Sequence, residues 1–223
     1  MGSYRQYCPI ARASEILAER WTPLLIRNLM LGAHTFNELA RGVPAMSRSM
    51  LVKRLGELEI SGVIRSQPKS TGRGSVYELT DAGADLAGVV EAMGQWGERW
   101  VEVTSMHADP GFALWAWCQA QLDRSKLPHE RTVIAFTFPD ETVGNRFYWL
   151  LVDHGDAEVC YSDPGDEPDL YIEAESLAFV DWHRGALSWS RAIRDGRITA
   201  TGSTALTRSL PTWNLHAPVA PRS

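Results

Sequence analysis

The residues most suggestive of chemistry lie in one short segment, MSRSMLVKRLGELEISGVIR, residues 46 to 65. It brings Ser47, Arg48, Ser49, Val52, Lys53, Arg54 and Arg65 together around Leu51, Leu55 and Leu58. Cations and hydroxyls at this density are suited to phosphate and base edges rather than to bond making. Residues 41 to 73 hold seven Lys+Arg against two Asp+Glu, a local net charge of +5 in a chain of net charge −5. The acidity lies elsewhere: residues 1 to 104 carry 12 Lys+Arg against 11 Asp+Glu, whereas residues 105 to 223 carry 10 against 16. A basic face on an otherwise neutral half attracts a polyanion.

Catalytic patterns are not found. His34, His107, His129, His154, His183 and His216 are scattered, and no HExxH, GxSxG or phosphate-loop pattern accompanies them. Cys8, Cys118 and Cys160 are far apart and odd in number, which fits reduced thiols better than a disulfide framework or a zinc site. The acidic run Asp163, Asp166, Glu167 and Asp169 is interrupted by Pro164 and Pro168 and reads as a solvated loop. The expectation is a protein that is not an enzyme and needs no cofactor or metal. No stretch approaches the roughly 20 apolar residues of a membrane helix, and the first residues carry no secretory pattern, so the cytoplasm is expected.

The elements around the basic segment follow from local signals. Helical patterns over 10–20 and 22–31 are separated by Thr22-Pro23, with Thr22 as a candidate cap. Thr35-Phe-Asn-Glu38 has capping-box spacing and starts a short helix that stops near Gly42 and Pro44. Ser47 caps the next helix, Leu51, Leu55 and Leu58 form its buried face, and Gly62 closes it. Two β-rich runs follow, joined by a basic tip that carries Lys69 and Arg73. A long helix is then expected from Thr80 to about Val103, with Leu86, Val89, Met93, Trp96, Trp100 and Val103 at heptad steps, a candidate self-association seam against the plainer reading that the stripe packs on its own domain.

A short capped helix, a tight turn and a basic second helix make a helix-turn-helix, whose second helix can enter a major groove. Arg48, Ser49, Val52 and Lys53 are the candidate base readers, with Arg54, Lys69 and Arg73 directed to phosphate and Arg65 either doing the same or simply flanking the strand. The strings CPI (8–10), LMLGAHTFNEL (29–39), VPAMSRSMLVKRLGELEISGVI (43–64) and YELTDAG (77–83) resemble the HxlR family of winged helix-turn-helix regulators, related to the MarR group. That resemblance implies a homodimer formed through the first and last helices of the domain, a recognition helix over 47–60 and a wing over about 63–79. It also implies that Cys8 occupies a position used by some members as a redox or electrophile sensor; a small residue packed at the dimer interface is the alternative reading.

A break at SMHADPG, residues 105 to 111, divides the chain into domains over 1–104 and 109–215. The second is expected to be α+β, an antiparallel sheet with helices on one side. Its stretch from Pro168 to Trp213, including Gly196-Arg-Ile-Thr-Ala-Thr-Gly202, resembles the sterol-carrier-protein-like lipid-binding fold. Six of the nine tryptophans fall here. Phe136, Phe147, Trp149, Phe179, Trp182 and Trp189 are the candidate lining of a pocket for a hydrophobic or aromatic effector, against the plainer reading that they fill a core. The expected protein is a dimeric repressor on a palindromic duplex. The alternative is a hydrophobic-ligand carrier that uses its first domain only to dimerise.

Overall fold

The structure, a computed structural model, describes residues 3–215. Residues from 216 on, His216 among them, lie outside the described residues. The chain divides between Trp100 and Val101 into two compact units, each described by itself.

The first unit begins with α1 (Pro9–Leu17) and α2 (Thr22–Met30). Thr22 does not cap α2: Trp21 occupies the cap with a left-handed φ of 78°, and Thr22 is buried inside the first turn. The next two helices start where side-chain chemistry dictates. In α3 (Phe36–Arg41) the Thr35 hydroxyl accepts from the Glu38 N–H, and the Glu38 carboxylate accepts from the Thr35 N–H, closing the capping box. In α4 (Arg48–Ile60) the Ser47 hydroxyl accepts from Met50 N–H at 3.3 Å. Gly62, at a φ of +73°, turns the chain out of α4 in a conformation other residues resist. The hairpin of β1 (Ile64–Pro68) and β2 (Ser75–Leu79) follows in antiparallel register.

The long helix expected after the hairpin is interrupted. A single turn, α5 (Asp81–Ala84), precedes α6 (Ala87–Trp100), so Leu86 falls at the break rather than on the seam, and Val103 lies past the end of α6. Buried apolar side chains come from α2 (Leu25, Ile26, Leu29), α3 (Leu39), α4 (Leu51, Leu55, Leu58) and β1 (Ile64). Each contributes about 1.5–3 kcal/mol. None of the residues of α6 is buried.

The second unit opens with α7 (Pro110–Ala116), which loosens into a π-helical turn over Trp117–Gln121. Five strands follow: β3 (Thr132–Thr137), β4 (Phe147–Asp153), β5 (Asp156–Cys160), β6 (Leu170–Ala174) and β7 (Ile198–Gly202). Helices α8 (Ser176–His183) and α9 (Trp189–Arg194) lie between β6 and β7 in sequence, and α10 (Thr204–Ser209) follows. The sheet order is β5-β4-β3-β6-β7. The expectation of an antiparallel sheet is corrected, because β3 and β6 pair in parallel while the other three pairs are antiparallel. β6 returns past the β4–β5 meander to the free edge of β3, and strand patterning alone does not encode the direction in which it enters.

Strand alternation decides which aromatics reach the interior. Ile134 and Phe136 register with Leu150 and Tyr148 on one side and with Leu170 and Ile172 on the other, forming the core face with Phe179 and Trp182 of α8. Phe147, Trp149 and Leu151 therefore point to the opposite face of the sheet.

Candidate nucleic-acid interface

The turn between α3 and α4 is clamped from α2. Asn28 is fully buried; its amide donates to Leu39 O at 3.3 Å, and its Oδ1 accepts from Arg27 Nε and Nη2 at 3.1 and 2.8 Å. Arg27 Nη2 also donates to Gly42 O at 2.9 Å. A Cβ on Gly42 would lie 2.2 Å from the Asn28 amide nitrogen, so glycine is required for this close approach. Burial lowers the Arg27 pKa to about 10, which leaves it a cation at neutral pH. These side chains tie the C-terminal end of α3, where the turn begins, to α2. Sequence reasoning missed them, although a polar residue on the apolar face of α2, between Ile26 and Leu29, was the available signal.

The exposed side of α4 carries most of the expected DNA-facing residues. Arg48, Ser49, Val52 and Lys53 are exposed, Val52 at 62%. Arg48 is held in place: its Nη2 donates to Asn37 Oδ1 at 2.8 Å, and its guanidinium lies 5.0 Å from the Phe36 ring centroid. Neither Phe36 nor Asn37 could be assigned that role from sequence, since the contact crosses the turn. The hydroxyls of Ser47 and Ser49 are 3.2 Å apart. Lys53 faces Glu57 at 3.9 Å, too far to immobilise an exposed amine.

Arg54 is a correction. It is only 7% exposed, and its guanidinium pairs with Glu57 at 2.7 Å and Glu19 at 3.0 Å. A residue three positions after Leu51 and four before Leu58 shares their face, so Arg54 holds the α1–α2 turn against α4 instead of reaching phosphate. On the hairpin, Arg65 is neutralised across the strands by Glu78, its register partner, with both contacts at 2.8–3.0 Å. Lys69 and Arg73 sit at the tip, half-buried and exposed respectively, with no ion pair among the described residues.

These sequence features belong to a known group. A family model described as HxlR-like helix-turn-helix matches residues 16–105. The chain is 33% identical over 100 residues to the uncharacterised HTH-type transcriptional regulator YvaP of Bacillus subtilis, covering 44% of this chain and 92% of YvaP. The chain belongs to the HxlR-like helix-turn-helix family. It is also 34% identical over 98 residues to the HTH-type transcriptional regulator YodB of Bacillus subtilis, covering 43% of this chain and 87% of YodB. The solved reduced form of YodB shares 31% identity, covers 44% of this chain and 97% of its own, and has a TM-score of 0.38. In HxlR-like terms α3 and α4 are the helix-turn-helix of a transcriptional regulator and the β1–β2 hairpin is its wing.

Two further sets of expected residues can be placed. Val89, Met93, Trp96 and Trp100 follow one another at steps of 4, 3 and 4 along α6, all exposed, with both tryptophans above 60%. Gly88, Ala92 and Gly97 complete an apolar groove beside Val89, Met93 and Trp96. Cys8 is the half-buried N-cap of α1, and its carbonyl accepts from Arg12 N–H.

The expected pocket lining in the second unit is corrected. Phe136, Phe179 and Trp182 are at most 1% exposed and touch ring to ring, Phe136–Phe179 at 5.6 Å and Phe179–Trp182 at 5.3 Å. They fill the core. Trp189 packs half-buried on Trp182 at 4.9 Å, whereas Phe147, 45% exposed, and Trp149 lie on the outer face of the sheet. Six residues from strands and helices could be grouped as aromatic from sequence, but their distribution over two sheet faces depends on strand parity. Cys118 is buried, and burial pushes its thiol up to about 12, out of reach of thiolate chemistry.

Proposed function

We propose that the protein is a homodimeric repressor that occupies a palindromic duplex, with α4 in the major groove and the wing along the adjacent backbone. The observation that carries this reading is the exposed strip Arg48, Ser49, Val52 and Lys53 on a helix whose opposite face is buried and whose entry turn is clamped. Arg48, preset by Asn37 and Phe36, reads a base edge with Ser49, Val52 and Lys53. Lys69 and Arg73 supply sequence-independent phosphate contacts. Dimerisation proceeds through α1 and α6, a reading supported by the unburied apolar face of Val89, Met93, Trp96 and Trp100. Two helical half-sites then match a two-fold operator.

The second unit, over 109–215, is the sensory half of this proposal and takes a hydrophobic or aromatic effector on a sterol-carrier-protein-like scaffold. Its strand–helix–helix–strand–helix order from β6 to α10 supports that reading. Such an effector acts on DNA binding only by preferring one arrangement of the dimer over another. Cys8 is the candidate thiol sensor of the first unit, and the cytoplasm is the compartment that suits a DNA-bound regulator.

The test is selection of duplexes from a random pool by the full chain, followed by binding measured across salt. The proposal expects an enriched palindrome and a steep fall of affinity with salt. Enrichment of no sequence, or binding indifferent to salt, would overturn it. Diamide treatment that leaves operator binding unchanged would remove the role of Cys8 alone.

A further inference from the structure

Gly56 stands in the middle of α4, where glycine is the least favourable residue apart from proline. Neither conformation nor packing explains it. Its φ is not in the left-handed range, and a Cβ built there would meet nothing within 4 Å. Gly42 and Gly83 in the same unit are different, since a Cβ would come within 2.2 Å of the Asn28 side chain in one case and 2.0 Å of Val63 O in the other. The fold of this unit therefore accepts any small residue at position 56.

Position supplies the missing reason. Leu51, Arg54, Leu55 and Leu58 occupy the buried side of α4. Ser49, Lys53, Gly56 and Ile60 follow one another at steps of 4, 3 and 4 along the opposite side, and Ser49, Lys53 and Ile60 are all exposed. Gly56, half-buried between these neighbours, thus lies on the outward face with no side chain of its own. We propose that Gly56 is a duplex-contact residue, which lets a sugar–phosphate strand approach the α4 backbone to van der Waals distance at a point where a methyl group would hold it away. Lys53, nearly one turn earlier on the same face, supplies the neighbouring cation. This inference rests on the reading that α4 enters the major groove, and it makes folding and binding favour different residues at this position.

The experiment compares the full wild-type chain with Gly56→Ala, Gly56→Val and Lys53→Ala on the duplex that the wild type selects from a random pool. Gly56→Ala should raise the melting temperature of the free protein by about 2–8 °C, because alanine is the better helix former. It should weaken binding roughly tenfold, the scale of an overpacked contact. Its salt slope should match the wild type's, since no charge is lost, whereas Lys53→Ala should flatten the slope by about 1. Gly56→Val should weaken binding further. Equal affinity for wild type and Gly56→Ala, or a loss accompanied by a lower melting temperature, would overturn the inference while leaving the role of α4 intact. Failure of the wild type to select any duplex would overturn the reading of α4 before a variant is made.

Discussion

Arg48 and Arg54 are six residues apart on one helix and have opposite fates, one presented at the surface on Asn37 and Phe36, the other enclosed by Glu19 and Glu57. Their alanine variants should separate cleanly. Arg54→Ala removes the partner of two carboxylates, and because Glu19 keeps some solvent the cost should be about 1–3 kcal/mol, below that of a fully enclosed pair. Chemical denaturation should show that loss with the salt slope of duplex binding unchanged. Asn37→Ala should leave stability nearly intact but relax base preference within a half-site, because it frees Arg48 without removing it. Glu38 gives a pH test. Partial burial raises its carboxyl, yet hydrogen bonds from the Thr35 and His34 backbone and the Thr35 hydroxyl, with nearby His34, outweigh that and hold its pKa below the usual carboxylate value. A depressed folded-state pKa gives stability that is fully present above the unfolded value and lost as pH falls through the folded one. Wild type should therefore lose more stability than Glu38→Gln in thermal melts taken as pH is lowered through the acid range. At this scale the sequence revealed residue types and spacing but not partners: the Thr35 box is local and legible, whereas Arg54 and Glu19 meet across 35 residues.

Elements were legible where a single side chain sets a boundary. Thr35, Ser47 and Gly62 each place a helix end close to where spacing predicts. Legibility failed at α6, because heptad spacing runs on through Asp85-Leu86, between Gly83 and Gly88, with no proline to mark the α5–α6 break. It also failed for the aromatic pocket, since a strand's hydrophobic content does not say which parity faces the helices. The proposed seam on α6 makes a definite prediction. Met93→Glu or Trp96→Glu should shift the protein from dimer to monomer in sedimentation velocity with little change in helical content, and operator affinity should fall with it. By contrast Trp182→Ala should cost about 3–5 kcal/mol of stability in the second unit, as removal of an enclosed ring does, and leave the oligomeric state alone.

For the molecule as a whole, the charge balance joins two unlike units, a near-neutral one with a basic face and an acidic partner whose residues 105 to 223 carry a net −6. A chain ending at residue 104 should bind random duplex more tightly than the full chain, most visibly at low salt, because long-range repulsion by the acidic half is removed. The mixed sheet of the second unit has a different consequence, in time rather than in energy. β4 pairs with β3 and β5 with β4, so that meander can form as soon as residue 160 is available. The second edge of β3 is completed only by β6, and β6 is in turn flanked by β7, which ends at residue 202. A ribosome from which residue 160 has emerged but residue 170 has not therefore holds a half-built sheet with an open, apolar edge through Ile134 and Phe136, a template for pairing with a neighbouring nascent chain. Slow translation between β5 and β6 would prolong that exposure, and chains stalled there should be more prone to co-translational aggregation than chains stalled before β3 or released at full length.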